Sequence, residues 1–207
     1  MKKYTHIFFD VDGTIMDSEK QAVQSFVQTL NQLGIPVPEK DKLTSVMGSS
    51  TKETIAKLGL DDPESAVDLW QKNALKAFAN CKPFDNIIET VTALRERGYS
   101  IGIVSSRARI ELENDISFNR FLPLFDIAVY SSDTEHIKPS PEPLLLAVKK
   151  AGIKPNFCVY VGDSRCDAES ASAAGVDFIL ATWGARDKNI PSDYCITSPE
   201  DLLKILE

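Results

Sequence analysis

The sequence predicts an α/β fold, a parallel sheet covered by helices on both faces, with a small helical unit inserted after the first strand. Three observations carry this. Beyond residue 83, short apolar strands alternate with amphipathic helices. From Ser18 to Asn80 the pattern is almost entirely helical. That excursion of roughly 65 residues far exceeds the two to six of an ordinary connection in such a sheet, so it is a structure of its own.

Taking the elements in order, Tyr4 to Phe9 is a short apolar run ending in Asp10, the pattern of a buried strand. Ala22, Val23, Phe26, Val27, Leu30 and Leu33 recur at helical spacing, and Gly34 with Pro36 ends that segment. Further helices are expected over Lys40 to Val46 and from Ser50 or Thr51 to Gly59. Asp62 and Pro63 then supply an N-cap and a first helical residue. The helix they open has an apolar stripe of Ala66, Leu69, Trp70, Ala74, Ala77 and Phe78. Lys82-Pro83 marks a boundary.

After it come a helix from Asn86 to Arg97, a strand ending at Ser105, a polar helix, the strand DIAVY and the loop SSDTEHIKPSP. A helix from Ser140-Pro141 to Ala151 leads into the strand FCVYVG, which ends at Asp163. A helix over Asp167 to Ala174, the strand DFILA and a short helix capped by Ser198 to Asp201 complete the chain. The domain division is therefore 1–15 with 83–207 as the core and 16–82 as a helical cap.

Net charge is −7, with no lysine or arginine cluster to follow a nucleic-acid backbone, so neither nucleic acid nor an anionic membrane is expected as a partner. The same acidity repels a phosphorylated substrate unless a cation, a lysine or backbone amides gather positive charge locally. MKKYTHIFFDVDGT leaves no room for the apolar core of a signal peptide, and no run approaches a membrane span. Cys81, Cys158, Cys166 and Cys195 show neither Cys-x-x-Cys spacing nor the density of a disulfide scaffold, which points to a reduced, cytoplasmic protein. No coiled-coil seam sets an oligomeric state.

Ligands of a parallel sheet bind beyond the carboxyl ends of its strands. The polar residues there are Asp10, Ser105 and Asp163, with Lys138 in a nearby loop. Asp10 and Asp12 leave an extended chain on the same side, and Gly13 allows a sharp turn directly after them. Two carboxylates so close suit one ionised nucleophile and one acid/base group. Asp163 fits a magnesium ligand and Asp167 an anchor behind it, since magnesium needs only one or two protein carboxylates; the same pair also suits a helix N-terminus. Ser105 offers a hydroxyl beside the amides of Ser106 and Arg107, and equally caps the next helix. Lys138 lies in IKPSPEP, where two prolines stiffen the loop that carries it.

Together, DVDGT, the strand ending in Ser105, KPSPEP and GDSRCDAESASAAG resemble the haloacid dehalogenase-like hydrolase superfamily across essentially the whole chain. The resemblance implies a Rossmann-like core with an inserted cap. It also implies Asp10 as nucleophile, Asp12 as general acid/base, and Ser105 and Lys138 as phosphate binders, to which the neighbouring amide of Ser106 adds a further candidate. Magnesium would be held by Asp10, the main-chain carbonyl of Asp12 and Asp163, with Asp167 behind. The DGT-x-x-DS run from Asp12 to Ser18 and the cap placement look most like phosphoglycolate-phosphatase-type enzymes acting on a small phosphorylated metabolite. Met47, Gly48, Ser49, Ser50 and Lys52, in a Gly/Ser/Thr-rich loop of the cap, are the candidates for leaving-group contacts. Asp12 argues against dehalogenase chemistry. The other readings are a phosphosugar mutase, a phosphonatase using Lys52, and a non-catalytic binding module.

Overall fold

The computed structural model describes residues 3–39, 55 and 63–206. Six strands form one parallel sheet: β1 (His6–Phe9), β4 (Ser100–Val104), β5 (Ile127–Val129), β6 (Cys158–Gly162), β7 (Asp177–Ala181) and β8 (Tyr194–Ile196). Their order is β5-β4-β1-β6-β7-β8. Strand order reverses at β1, which pairs with β4 on one side and β6 on the other, Phe9 standing opposite both Ile103 and Val161. The crevice beyond the carboxyl end of β1 is therefore the switch point where such sheets bind ligands.

Alternation along the strands separates two cores. Ile7, Phe9, Ile101, Ile103, Val159 and Val161 share one face with Ile87, Val91 and Leu94 of α3 (Ile87–Glu96). Phe8, Val104, Cys158 and Tyr160 share the other with Leu144, Ala147 and Val148 of α5 (Glu142–Ala151) and Ala171 and Ala174 of α6 (Arg165–Ala174). Ile7, Phe8 and Phe9 are fully buried. A strand covered on both sides needs this unbroken apolar run, and each such side chain stabilises the fold by about 1.5–3 kcal/mol.

After β1 the chain makes a two-residue strand, β2 (Met16–Asp17), which pairs antiparallel with β3 (Lys82–Pro83). This ribbon and the edge strand β8 are not legible in the sequence; the two-residue ribbon strands are too short for a period to register, and β8 (Tyr194–Ile196) sits among polar residues. Between the ribbon strands, α1 (Glu19–Gln32) packs on α2 (Pro63–Phe78). Phe26, Leu30, Ile55, Ala66 and Trp70 form a third, separate cluster there, with the Phe26 and Trp70 rings edge to face at 4.9 Å. The Trp70 indole donates to Ser25 Oγ at 2.8 Å, so its polar atom is satisfied inside the cluster. The expected helices over 40–46 and 51–59 fall outside the described residues, Ile55 excepted. The polar helix after β4 is α4 (Arg109–Glu113), and the chain closes with α7 (Leu202–Ile205). No helix among the described residues is long and apolar enough to cross a membrane.

Candidate active site

Asp10, Ser105 and Asp163 each follow the last residue of a strand, β1, β4 and β6, and so meet at the switch point. Carboxylate oxygens of Asp10, Asp163 and Asp167 all lie within 4.8 Å of one another. Lys138, only 3% exposed, reaches under them from the loop before α5. Its Nζ is 2.8 Å from Asp10 Oδ1 and 2.7 Å from Asp167 Oδ1. It also donates to Tyr160 Oη at 2.9 Å and to the Val104 carbonyl at 3.2 Å.

Asp167 is saturated. Oδ1 takes Lys138 and the Tyr160 hydroxyl, while Oδ2 accepts from the Ser164 amide at 3.1 Å and the Ser164 hydroxyl at 2.5 Å. Ser164 is the N-cap of α6, and Asp167 closes its capping box. The position expected to anchor the site is thus tied at once to the lysine and to a helix end. Asp163 accepts from Thr14 Oγ1 at 3.0 Å. Gly13 sits at φ 84, and a Cβ there would stand 2.3 Å from Asp163 Oδ2. A Cβ on Gly184 would fall 1.7 Å from the Gly13 carbonyl oxygen. Both glycines let the acidic strand ends approach closely.

Burial, opposed by Lys138, raises Asp10 from the ordinary carboxylate range to about 7. Burial, with Asp167 and Asp10 adding to it, also raises Asp163. Burial alone would push Lys138 down, but Asp10 and Asp167 outweigh it and hold the ammonium well above its usual range. One buried ammonium thus faces three clustered carboxylates, a deficit of positive charge that a divalent cation fits. Asp10 and Asp163, the less saturated of the three, match the oxygen ligands that magnesium prefers.

Asp12 goes elsewhere. Ser18 stands at the N-cap of α1 yet makes no capping bond; its hydroxyl donates to Asp12 Oδ1 at 2.7 Å. Arg107 Nη1 lies 3.8 Å from the same oxygen and 2.8 Å from Asp115 Oδ2. Asp115 is itself held by the amide and hydroxyl of Ser117, at 3.0 and 2.6 Å. The guanidinium stacks on the Phe78 ring of α2 at 4.5 Å. Ser105 is 2% exposed and its Oγ accepts from the Arg107 amide at 3.1 Å, so that amide is not open as the sequence suggested.

Asp10, Asp12, Ser106 and Asp163 line one cavity of about 570 Å³ between the sheet edge and α1 and α2. The structure brings Asp10, Lys138, Asp163 and Asp167 together and sets Asp12 beside them. Met47, Gly48, Ser49, Ser50 and Lys52 lie outside the described residues. Sequence reasoning missed the side chains of Arg107 and Tyr160, and the new task of Ser18. Arg107 lies two residues past Ser105, but its ties to Asp12 and Phe78 have no local signature. Tyr160 reads as one more apolar strand residue.

The sequence profile of haloacid dehalogenase-like hydrolases matches residues 7–181. Pyrophosphatase PpaX of Bacillus mycoides (strain KBAB4) is 28% identical over 209 residues, covering 99% of this chain and 97% of its own. Among solved structures, a protein provisionally described as a haloacid dehalogenase-like hydrolase from Bacteroides fragilis is 32% identical. It covers 97% of this chain and 100% of its own, with a TM-score of 0.85. Another, provisionally described as a phosphoglycolate phosphatase from Lactobacillus plantarum, is 25% identical over 98% of this chain and 99% of its own, with a TM-score of 0.88.

Proposed function

The chain belongs to the haloacid dehalogenase-like hydrolase family, and from that premise we propose that it is a magnesium-dependent phosphomonoesterase working through an aspartyl-phosphate on Asp10. One observation carries the reading: Asp10 and Asp12 open on one cavity with different partners, Asp10 fixed by the Lys138 ammonium and Asp12 by the Ser18 hydroxyl. The names of the pyrophosphatase and phosphoglycolate phosphatase relatives support phosphate chemistry.

In this reading an Asp10 oxygen bonds to phosphorus as the bond to the leaving oxygen breaks, and Asp12 gives that oxygen its proton. Asp12 then takes a proton from the water that attacks phosphorus and releases Asp10. Lys138, Ser105 and the Ser106 amide hold the phosphoryl oxygens, and Lys138 keeps the Asp10 carboxylate oriented. Asp10, the Asp12 carbonyl and Asp163 would hold magnesium, with Asp167 fixing Lys138 behind them. Bound magnesium supplies positive charge to the phosphoryl oxygens.

Residues 16–82 form a cap on the core of 1–15 and 83–207. The β2–β3 ribbon where the two crossings pair, and the separate Phe26–Trp70 cluster, support that division. A reduced, cytoplasmic setting belongs to the same proposal and rests on four cysteines that form no disulfide. The deciding experiment is magnesium-dependent phosphate release by Asp10→Asn. Turnover is expected to vanish while the fold, followed by circular dichroism, persists; activity near that of the unmodified protein would end the scheme.

A further inference from the structure

We propose that the substrate is the phosphate ester of a neutral alcohol with an apolar or aromatic body, which sets it apart from pyrophosphate and phosphoglycolate. The inference rests on the phosphatase reading above and concerns the leaving-group side of the same cavity. There α1 and α2 contribute Ala22, Trp70, Ala74, Leu75 and Phe78, with Glu19 and Gln71 as their polar members, faced from the core by Ile190. Such a wall favours an apolar surface and does nothing for a charged one.

The charges point the same way. Three guanidiniums line the cavity, and each is already matched. Arg107 pairs with Asp115 at 2.8 Å, donates to the Glu111 carbonyl at 3.0 Å, and has its face covered by Phe78. Arg165 pairs with Asp187 and Arg186 with Glu19, both at 3.0 Å. Against these three stand six lining carboxylates: Asp10, Asp12, Glu19, Glu111, Asp163 and Asp187. Lys138 lies below, held between Asp10 and Asp167.

A second anionic group on the substrate therefore meets, among the described residues, only cations that carboxylates already hold. Recruiting one strands its former partner beside the incoming charge. Recruiting Arg107 is the costliest case, because the Asp115 side chain is 2% exposed and its desolvated carboxylate would be left unpaired. A neutral leaving group displaces nothing. It lies against Leu75 and the aromatic edges while Asp12 protonates its oxygen.

The test uses the full-length protein with magnesium and compares kcat/KM within matched pairs. These are phenyl phosphate against 4-carboxyphenyl phosphate, and propyl phosphate against phosphoglycolate, with pyrophosphate alongside. The neutral member of each pair is expected to lead by about tenfold or more. In Glu19→Gln, which removes a carboxylate and the partner of Arg186, the gap should narrow several-fold. In Leu75→Asn the loss should fall mainly on phenyl phosphate. Equal or faster hydrolysis of the charged members overturns the inference and leaves the phosphatase reading intact. Failure to release phosphate from any of the panel, p-nitrophenyl phosphate included, removes both.

Discussion

Lys138 shows how much one side chain can decide. It neutralises Asp10 and Asp167 inside the sheet edge, and nothing else among the described residues within hydrogen-bond reach of them carries positive charge. Lys138→Met would leave two buried carboxylates uncompensated, at a cost of about 3–5 kcal/mol. Urea denaturation should show that loss alongside the loss of turnover, whereas an unchanged midpoint would mean the ammonium is not the countercharge. Gly184→Ala makes a complementary case. Its methyl would overlap the Gly13 carbonyl, so backbone must move directly under Asp12. Activity should fall more than in a control such as Gly152→Ala, where a Cβ meets nothing within 4 Å and only the αL backbone is strained. Asp10, Asp12 and Asp163 were legible as chemistry because carboxylates at strand ends stand out against apolar runs. Arg107 was not, since its partners Asp12, Phe78 and Asp115 are brought to it by three different segments.

At the scale of elements, the site is three strand ends and one helix start. Asp10 is raised by burial to about 7, and Asp163 is raised as well. For a carboxyl whose folded value is raised, the fold is favoured by the protonated form. Its contribution is therefore present below the unfolded value, near 3.8, and is lost as pH climbs towards 7. Magnesium binds the ionised form, so through Asp10 its affinity should rise by up to about tenfold per pH unit as pH climbs towards about 7, and the raised Asp163 should steepen or extend that rise. Calorimetry in two buffers of different ionisation heat would count the protons released; none released would contradict the raised carboxyls. Ser164→Ala removes the α6 cap and two bonds to Asp167, with an expected loss of about 0.5–2 kcal/mol in thermal or urea unfolding. The long strands and helices were legible from periodicity. The β2–β3 ribbon and β8 were not, because two residues carry no period, β8 lies among polar residues, and the pairing of both is long-range.

Across the whole molecule, contacts between α1–α2 and the core ring the cavity. Arg186 pairs with Glu19, Gln71 Nε2 donates to Glu111 Oε1 at 3.2 Å, and Phe78 covers Arg107. The Arg186–Glu19 pair is half-exposed, so Arg186→Ala should change stability by no more than about 1 kcal/mol. If the pair holds the cap over substrate, KM should rise several-fold while the melting temperature stays put; a large fall in melting temperature would make it a structural strut instead. What the sequence by itself determined was the class of fold, the helical character of α1 and α2 after β1, and the acidic residues that meet at the strand ends. Hydrophobic periodicity and residue type are local properties, readable along a chain. Tertiary structure alone decided that Ser18 serves Asp12 instead of its helix, that Asp167 is saturated by Lys138, Tyr160 and Ser164, and that the cavity's guanidiniums are matched. Those facts depend on which distant segments meet, and the strand reversal at β1 sets that by placing the ends of β4 and β6 on either side of Asp10.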